Sequence, residues 1–178
     1  KDLKLKMHNM NTEIISTLER QTQELLNAIH KFTPDEFNTV PFEGSWTGGQ
    51  CCEHISLSEK GMLNLLNGTT KPGNRQIDEK VPAIEAVFLN YNIKMENPDF
   101  NNPSAAPHDK DVIYQSLKQS REELINGVKD SDLSLICTDF ELPGMGEFTG
   151  YEWIGFMYCH ATRHIRQLKN IYSKLEIA

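Results

Sequence analysis

Thr149-Gly150-Tyr151-Glu152-Trp153-Ile154-Gly155-Phe156-Met157-Tyr158-Cys159-His160-Ala161-Thr162-Arg163-His164-Ile165-Arg166-Gln167-Leu168 opens with a helix-start signature, and no proline follows it. Thr149 can accept from the backbone of Glu152 while Glu152 reaches back, the reciprocal arrangement of a capping box. Ile154, Met157, Ala161, Ile165, Leu168 and Tyr172 then recur every three or four residues, so one apolar face runs towards Leu175. Thr47-Gly48-Gly49-Gln50 repeats the signature, and Cys52, Ile55, Met62, Leu63 and Leu66 supply its stripe up to Gly68. Two further periodic segments run from about Asn11 to Phe32 and from about Asp109 to Lys129. Between the first two long segments, Thr33-Pro34-Asp35-Glu36 predicts a short turn with Thr at the N-cap and Pro at the first helical position.

The connections separate this pattern from a simple hairpin bundle. Thr69 to His108 lies between the second and third long helices and carries Pro72, Pro82, Pro98, Pro103 and Pro107. A helical hairpin needs only about 2–8 linking residues. So long a link can travel the length of a bundle and leave its flanking helices parallel. The sequence therefore predicts an all-α, single-domain protein over residues 1–178: a four-helix bundle with a long crossover between the second and third helices. Ala83 to Lys94 within the crossover reads as a short extra helix, and Thr138 to Leu142 in the last loop as extended chain.

Composition narrows the function classes. The formal net charge of −7, with Lys and Arg scattered, argues against a nucleic-acid partner, which requires a concentrated basic face. No apolar run approaches the ~20 residues that span a bilayer, and no apolar stretch of a signal peptide follows Lys1. The expected setting is cytoplasmic, with Cys51, Cys52, Cys137 and Cys159 as reduced packing thiols.

His160 and His164 carry the chemistry. Four residues apart, their rings share a helix face one turn apart, where two imidazoles can hold one cation. The spacing alone is weak, because six histidines give such a pair by chance in roughly one chain of this length in six. Both residues border the apolar stripe, however, and a buried imidazole must satisfy both ring nitrogens. His54, beside Ile55 on the second long helix, is a candidate third ligand. Ordinary hydrogen-bonded core histidines explain the same pattern, so periodicity leaves both readings open. No Glu follows His160 directly, no Glu-x-x-His occurs, and there is no phosphate-cradling loop or nucleophile elbow.

Trp46-Thr47 with Cys52-Glu53-His54-Ile55, and Glu152-Trp153-Ile154 leading into Tyr158 through Leu168, resemble the DinB-like superfamily across nearly the whole chain. The His-x-x-Arg-His run ending in Arg-Gln is its most specific part, and Lys94-Met95 to Pro103 resembles a recurring family segment. The resemblance implies a four-helix bundle with a long crossover, frequent homodimers, and metal ligands at His54, His160 and His164. The ion it implies is divalent, zinc first and nickel or iron as alternatives. Similar proteins include thiol S-transferases and isomerases, and many members have no known reaction. The function expected is thus a metal-dependent enzyme on a small molecule, transferring a thiol or hydrolysing a bond, with a thiol or electrophile as substrate. The alternative is a non-catalytic, metal-stabilised dimeric binding module.

The remaining conspicuous residues have plainer readings. Arg163 and Arg166 flank His164 as solvated or interface charges, with anion clamping as the alternative. Trp46 and Trp153 read as packing anchors. His8, His30 and His108 fall near segment ends and read as surface residues. Cys51, one turn before His54, is the reserve metal ligand.

Overall fold

The computed structural model describes residues 2–95, 97–105 and 107–177, and the side chains of all of these except 2–9 and 100. Helix α1 (Asp2–His30) is followed by α2 (Pro34–Phe37), α3 (Gly48–Glu59) and α4 (Met62–Leu66). Strand β1 (Thr70–Lys71), α5 (Val81–Phe88) and a 3-10 turn (Asp99–Asn101) lie in the crossover. Then come α6 (Lys110–Val128), β2 (Ile136–Leu142), β3 (Gly146–Thr149) and α7 (Gly150–Leu175). The chain is mostly helical, with α1 packed on α6 and α7, and α3 on the same two helices.

The predicted helix starts are formed. Thr33, Thr47 and Thr149 each cap their helix in a complete capping box with Glu36, Gln50 and Glu152, and Asp109 caps α6 through Asp111 N and Val112 N. Two boundaries differ from expectation. α1 begins at Asp2 rather than near Asn11, because residues such as Lys4, Leu5, Lys6 and Met7 favour helix even where no apolar stripe marks them. The single helix expected up to Gly68 is two helices. Lys60 turns extended, and Gly61 adopts φ +84°, a left-handed conformation that glycine takes without a Cβ penalty. The extra helix of the crossover occupies Val81–Phe88, earlier than Ala83 to Lys94, with Pro82 inside its first turn.

Beside its helices the chain carries a small sheet, which leaves the helical class standing. β1, β2 and β3 form a small antiparallel sheet in that order, and Thr138 to Leu142 lies inside its central strand. β3 leads straight into the cap of α7, so the sheet fixes where that helix starts.

Two apolar clusters fill the interior, with a polar layer between them. Leu18, Met62, Leu124, Phe148, Trp153 and Met157 belong to one; Leu25, Phe32, Ile55, Leu117, Ile165 and Leu168 belong to the other. Between them in each helix's sequence stand Gln21, Glu59, Arg121 and Thr162. Arg121 is 2% exposed and donates through Nε to Glu59 Oε2 at 3.0 Å, through Nη2 to Glu59 Oε1, and through Nη1 to Gln21 Oε1 at 3.1 Å. Gln21 Nε2 in turn donates to Tyr158 O and Thr162 Oγ1, each at 2.7 Å. One hydrogen-bonded chain thereby joins α1, α3, α6 and α7.

The crossover is fastened along its length. Arg75 bridges to Glu152 at 2.5 Å, and Lys80 N donates to the same carboxylate at 2.8 Å. Ile84 and Phe88 of α5 are buried in the first cluster. Arg163 donates from α7 to the carbonyls of Phe88 and Asn90, at 3.3 and 3.0 Å, and to that of Ile93. At the far end His108 is not the surface residue expected. Its Nε2 donates to Glu53 Oε2 at 2.9 Å, its N donates to Asn38 Oδ1 at 2.7 Å, and its ring lies over Gly49. A Cβ on Gly49 would lie 2.7 Å from that of His108, so the helix and the crossover touch backbone to side chain there. His30 is exposed, as predicted, and the side chain of His8 lies outside the described residues.

Removing one partner from the Arg121–Glu59 pair leaves an unpaired buried charge. Glu59→Ala is expected to cost about 3–5 kcal/mol, read by urea unfolding. The double change Glu59→Leu with Arg121→Met is expected to recover most of that loss. A near-wild-type Glu59→Ala protein would show that the layer contributes little.

Candidate metal centre

The capping box at Thr47 sets the rotation of α3 so that His54 faces inward, next to Ile55. His54 is 1% exposed, and His160 and His164 of α7 are 7% and 8% exposed. The structure brings all three histidines of the sequence reading together: one nitrogen from each lies within 4.8 Å of the others. His54 Nε2 is 3.1 Å from His160 Nε2. The ring centroids of His164 lie 4.5 Å from those of both His54 and His160.

The outer ring nitrogens fix two tautomers. His54 Nδ1 is 2.8 Å from the backbone oxygen of Asn101, and His164 Nδ1 is 2.8 Å from Gln167 Oε1. Both partners are oxygens that accept, so each Nδ1 carries the hydrogen and each Nε2 presents a lone pair. An Nδ1–H held by a carbonyl oxygen is the usual support of a metal-bound imidazole. Asn101 is itself held by Asn101 Nδ2 donating to Ser58 Oγ at 2.7 Å.

Burial keeps the three rings neutral. It depresses His54, against the opposing pull of the Asn101 carbonyl. It drives His160 well below the usual imidazole range, aided by His164 and His54 and then by Arg163 and Arg121. His164 is lowered to about 4, by burial first and His54 next, with Gln167 opposing. Lone pairs converging in a neutral, dehydrated cluster suit a cation. Nitrogens on a tetrahedral zinc lie about 3.3 Å apart, close to the His54–His160 separation.

Trp46 is part of this arrangement and was read from sequence only as a packing anchor. Its ring centroid is 5.1 Å from that of His54, and it stacks on His164 at 6.3 Å. Trp153 is the buried anchor expected, packed at 5.0 Å against Phe148. Cys51 donates its thiol towards the backbone oxygen of His164 at 3.6 Å, and burial pushes that thiol up to about 12. Cys51 is absent from the converging group among the described residues. Cys159 is buried in the first apolar cluster, its thiol likewise pushed up to about 12 by burial. Arg163 is committed to crossover carbonyls rather than solvated, whereas Arg166 is exposed, as read, with its guanidinium carbon 4.4 Å from the Tyr91 ring centroid. The sequence reading missed both oxygens: the i, i+3 spacing of His164 and Gln167 was the signal for one, and nothing near Asn101 announced the other.

A cleft of about 1560 Å³ opens over the cluster, and all three histidines line it with Trp46, Phe88 and Asn101. The family model of the DinB superfamily matches residues 17–168, a span that contains all three histidines and the crossover. The chain belongs to the DinB superfamily. It is 24% identical over 163 residues to the uncharacterized protein YuaE of Bacillus subtilis (strain 168), covering 87% of this chain and 94% of that relative. No solved structure gives a significant match. Proteins of the DinB superfamily commonly bind a divalent metal, and the three-histidine cluster fits that habit.

The depressed imidazoles give the metal-free protein a defined acid response. The unfolded chain protonates these histidines near 6.5 and the folded chain only further down, so the unfolded state binds more protons in between. Stability is therefore expected to fall as pH drops from about 6.5 through 4, by roughly 3 kcal/mol for His164 alone. Urea midpoints of chelator-treated protein measure this, and His164→Gln is expected to flatten the slope.

Proposed function

We propose that this DinB protein binds one divalent cation through His54, His160 and His164 and uses it in thiol transfer to a small molecule. The observation that carries the reading is the pair of fixed Nδ1–H groups, which aim Nε2 lone pairs from two helices at a shared point. Three neutral ligands would leave both charges of the ion in place, and an ion held by only three protein ligands would keep a position for a substrate atom. When bound, such an ion supplies a Lewis acid that favours the deprotonated form of a thiol or water at neutral pH. The protein's share is to hold the imidazoles, to exclude water with Trp46 and Phe88, and to orient what enters the cleft. Among the described residues no carboxylate lines the cleft.

The reading extends to zinc as the ion, to a four-helix bundle formed by α1, α3, α6 and α7, and to a homodimer in the cytoplasm. The pairwise packing of those four helices supports the second of these. No described helix is long and apolar enough to cross a membrane.

Metal analysis of protein purified without nickel resin or chelator is expected to find about one divalent ion per chain. Alanine at His54, His160 or His164 is expected to remove most of it, together with the metal-dependent rise in melting temperature. Gln167→Leu keeps all three ligands but releases His164 Nδ1, so metal affinity is expected to fall about 10–100-fold. Full occupancy in His54→Ala alongside loss in His160→Ala would remove His54 from the ligand set.

For the reaction, metal-loaded protein is expected to accelerate conjugation of small thiols to an electrophile, and chelator-treated protein is not. Equal rates from both across a panel of thiols would favour the non-catalytic binding module.

A further inference from the structure

Among the described residues, the wall of the cleft differs in sign from the chain as a whole. The protein carries 25 Asp and Glu against 18 Lys and Arg. Yet the described residues that line the cleft include Lys60, Lys94, Arg163, Arg166 and Lys169 and no carboxylate. Lys169 is neutralised by Glu24 at 2.5 Å. Arg163 donates to backbone carbonyls, which are uncharged, so among the described residues no carboxylate pairs with its positive charge.

Arg166 is placed differently. It is exposed, and its guanidinium carbon lies over the ring of Tyr91, 4.4 Å from the ring centroid. Among the described residues its N–H groups have no hydrogen-bond or ion-pair partner. Stacking on an aromatic face restrains the plane of a guanidinium while leaving its N–H edge free, the pose from which it grips an oxyanion with two parallel bonds. Arg166 also stands on α7 within one turn of His164, so the free edge and the histidine cluster serve the same cleft. Apolar surface from Trp46, Leu65, Phe88, Met95 and Phe156 lines the same space.

We propose that the cleft takes a small organic acid, with an apolar body against these side chains and a carboxylate or phosphate held by Arg166. Lys94 and Lys60 add a favourable field without direct contact being required. The inference names the substrate class of the site and rests on reading the histidines as its reacting end. Recognition of the oxyanion by Arg166 needs no metal, however, which lets the two be tested apart.

The test uses the full chain, stripped with chelator, and two fluorescent probes with the same aromatic body. 8-Anilino-1-naphthalenesulfonate carries the anion; N-phenyl-1-naphthylamine is its neutral counterpart. The sulfonate is expected to bind about tenfold tighter at low salt, with the preference shrinking as salt rises. Arg166→Gln is expected to weaken the sulfonate at least about fivefold and leave the neutral probe unchanged, while Arg166→Lys keeps part of the preference. Lys94→Gln, on a different element, is expected to weaken the sulfonate about two- to threefold, which covers the case of Arg166→Gln failing to fold by circular dichroism. Octanoate and octyl phosphate are expected to displace the sulfonate where 1-octanol does not, and their order of potency assigns the acid group. Equal affinity for the two probes, an unchanged preference in folded Arg166→Gln, or no binding of either probe overturns the proposal. A preserved preference in a protein that takes up no metal leaves the proposal standing and sinks the metal reading alone.

Discussion

A guanidinium that is 2% exposed cannot be left without partners, and the way Arg121 finds them organises the interior. It takes both oxygens of Glu59, the last residue of α3, and the amide oxygen of Gln21 on α1; Gln21 then hands the connection on to α7. Apolar contacts on either side of this layer are permissive about register, because leucine and isoleucine pack acceptably in neighbouring positions. The hydrogen bonds are not, and they hold α3 and α7 at one axial offset. His54 is five residues before Glu59, and His160 lies two residues before Thr162, so the same offset brings the imidazoles level. The uncompensated part of the Arg121 field also reaches His160 and disfavours its protonation, which keeps a lone pair available.

Imidazoles with ring centroids 4.5 Å apart cannot all be charged in so dry a place. Neutrality alone would permit either tautomer of each ring. The backbone oxygen of Asn101 and the amide of Gln167 select one for His54 and His164, and they do so from outside the cluster. The crossover is therefore more than a connection: its 3-10 turn supplies one of the two selecting oxygens. Its anchorage by Arg75, Lys80, Arg163 and His108 keeps that oxygen where it is useful.

Much of this was legible in the sequence. The capping boxes at Thr33, Thr47 and Thr149 are local, four-residue events, and all formed as read. The His160–His164 spacing is likewise local, and its face followed from Ile154, Met157, Ala161 and Ile165. What escaped the sequence was long-range or needed a backbone sign. Gly61 falls inside the apolar stripe that runs to Gly68, and only its positive φ separates α3 from α4 there. The sheet pairs Thr70 with Cys137 across most of the crossover and α6, and no periodicity encodes such a partner. His108 read as a surface residue because it sits at a segment end, whereas its ring fills the space over Gly49. Trp46 was recognised as an anchor, but that it anchors imidazoles was visible only in three dimensions.

Gly49 ties these threads in an unexpected place. The absent methyl group there is what lets His108 settle against α3, and His108 ends the same crossover that presents Asn101 to His54. A larger residue would lift the crossover by the thickness of one carbon, and the lift would be felt as a mis-set proton on a ring elsewhere in the protein. Relatives free to vary the sequence of this strap would thus still be bound by its depth. The tuning of the histidine cluster is written partly in a position that carries no side chain at all.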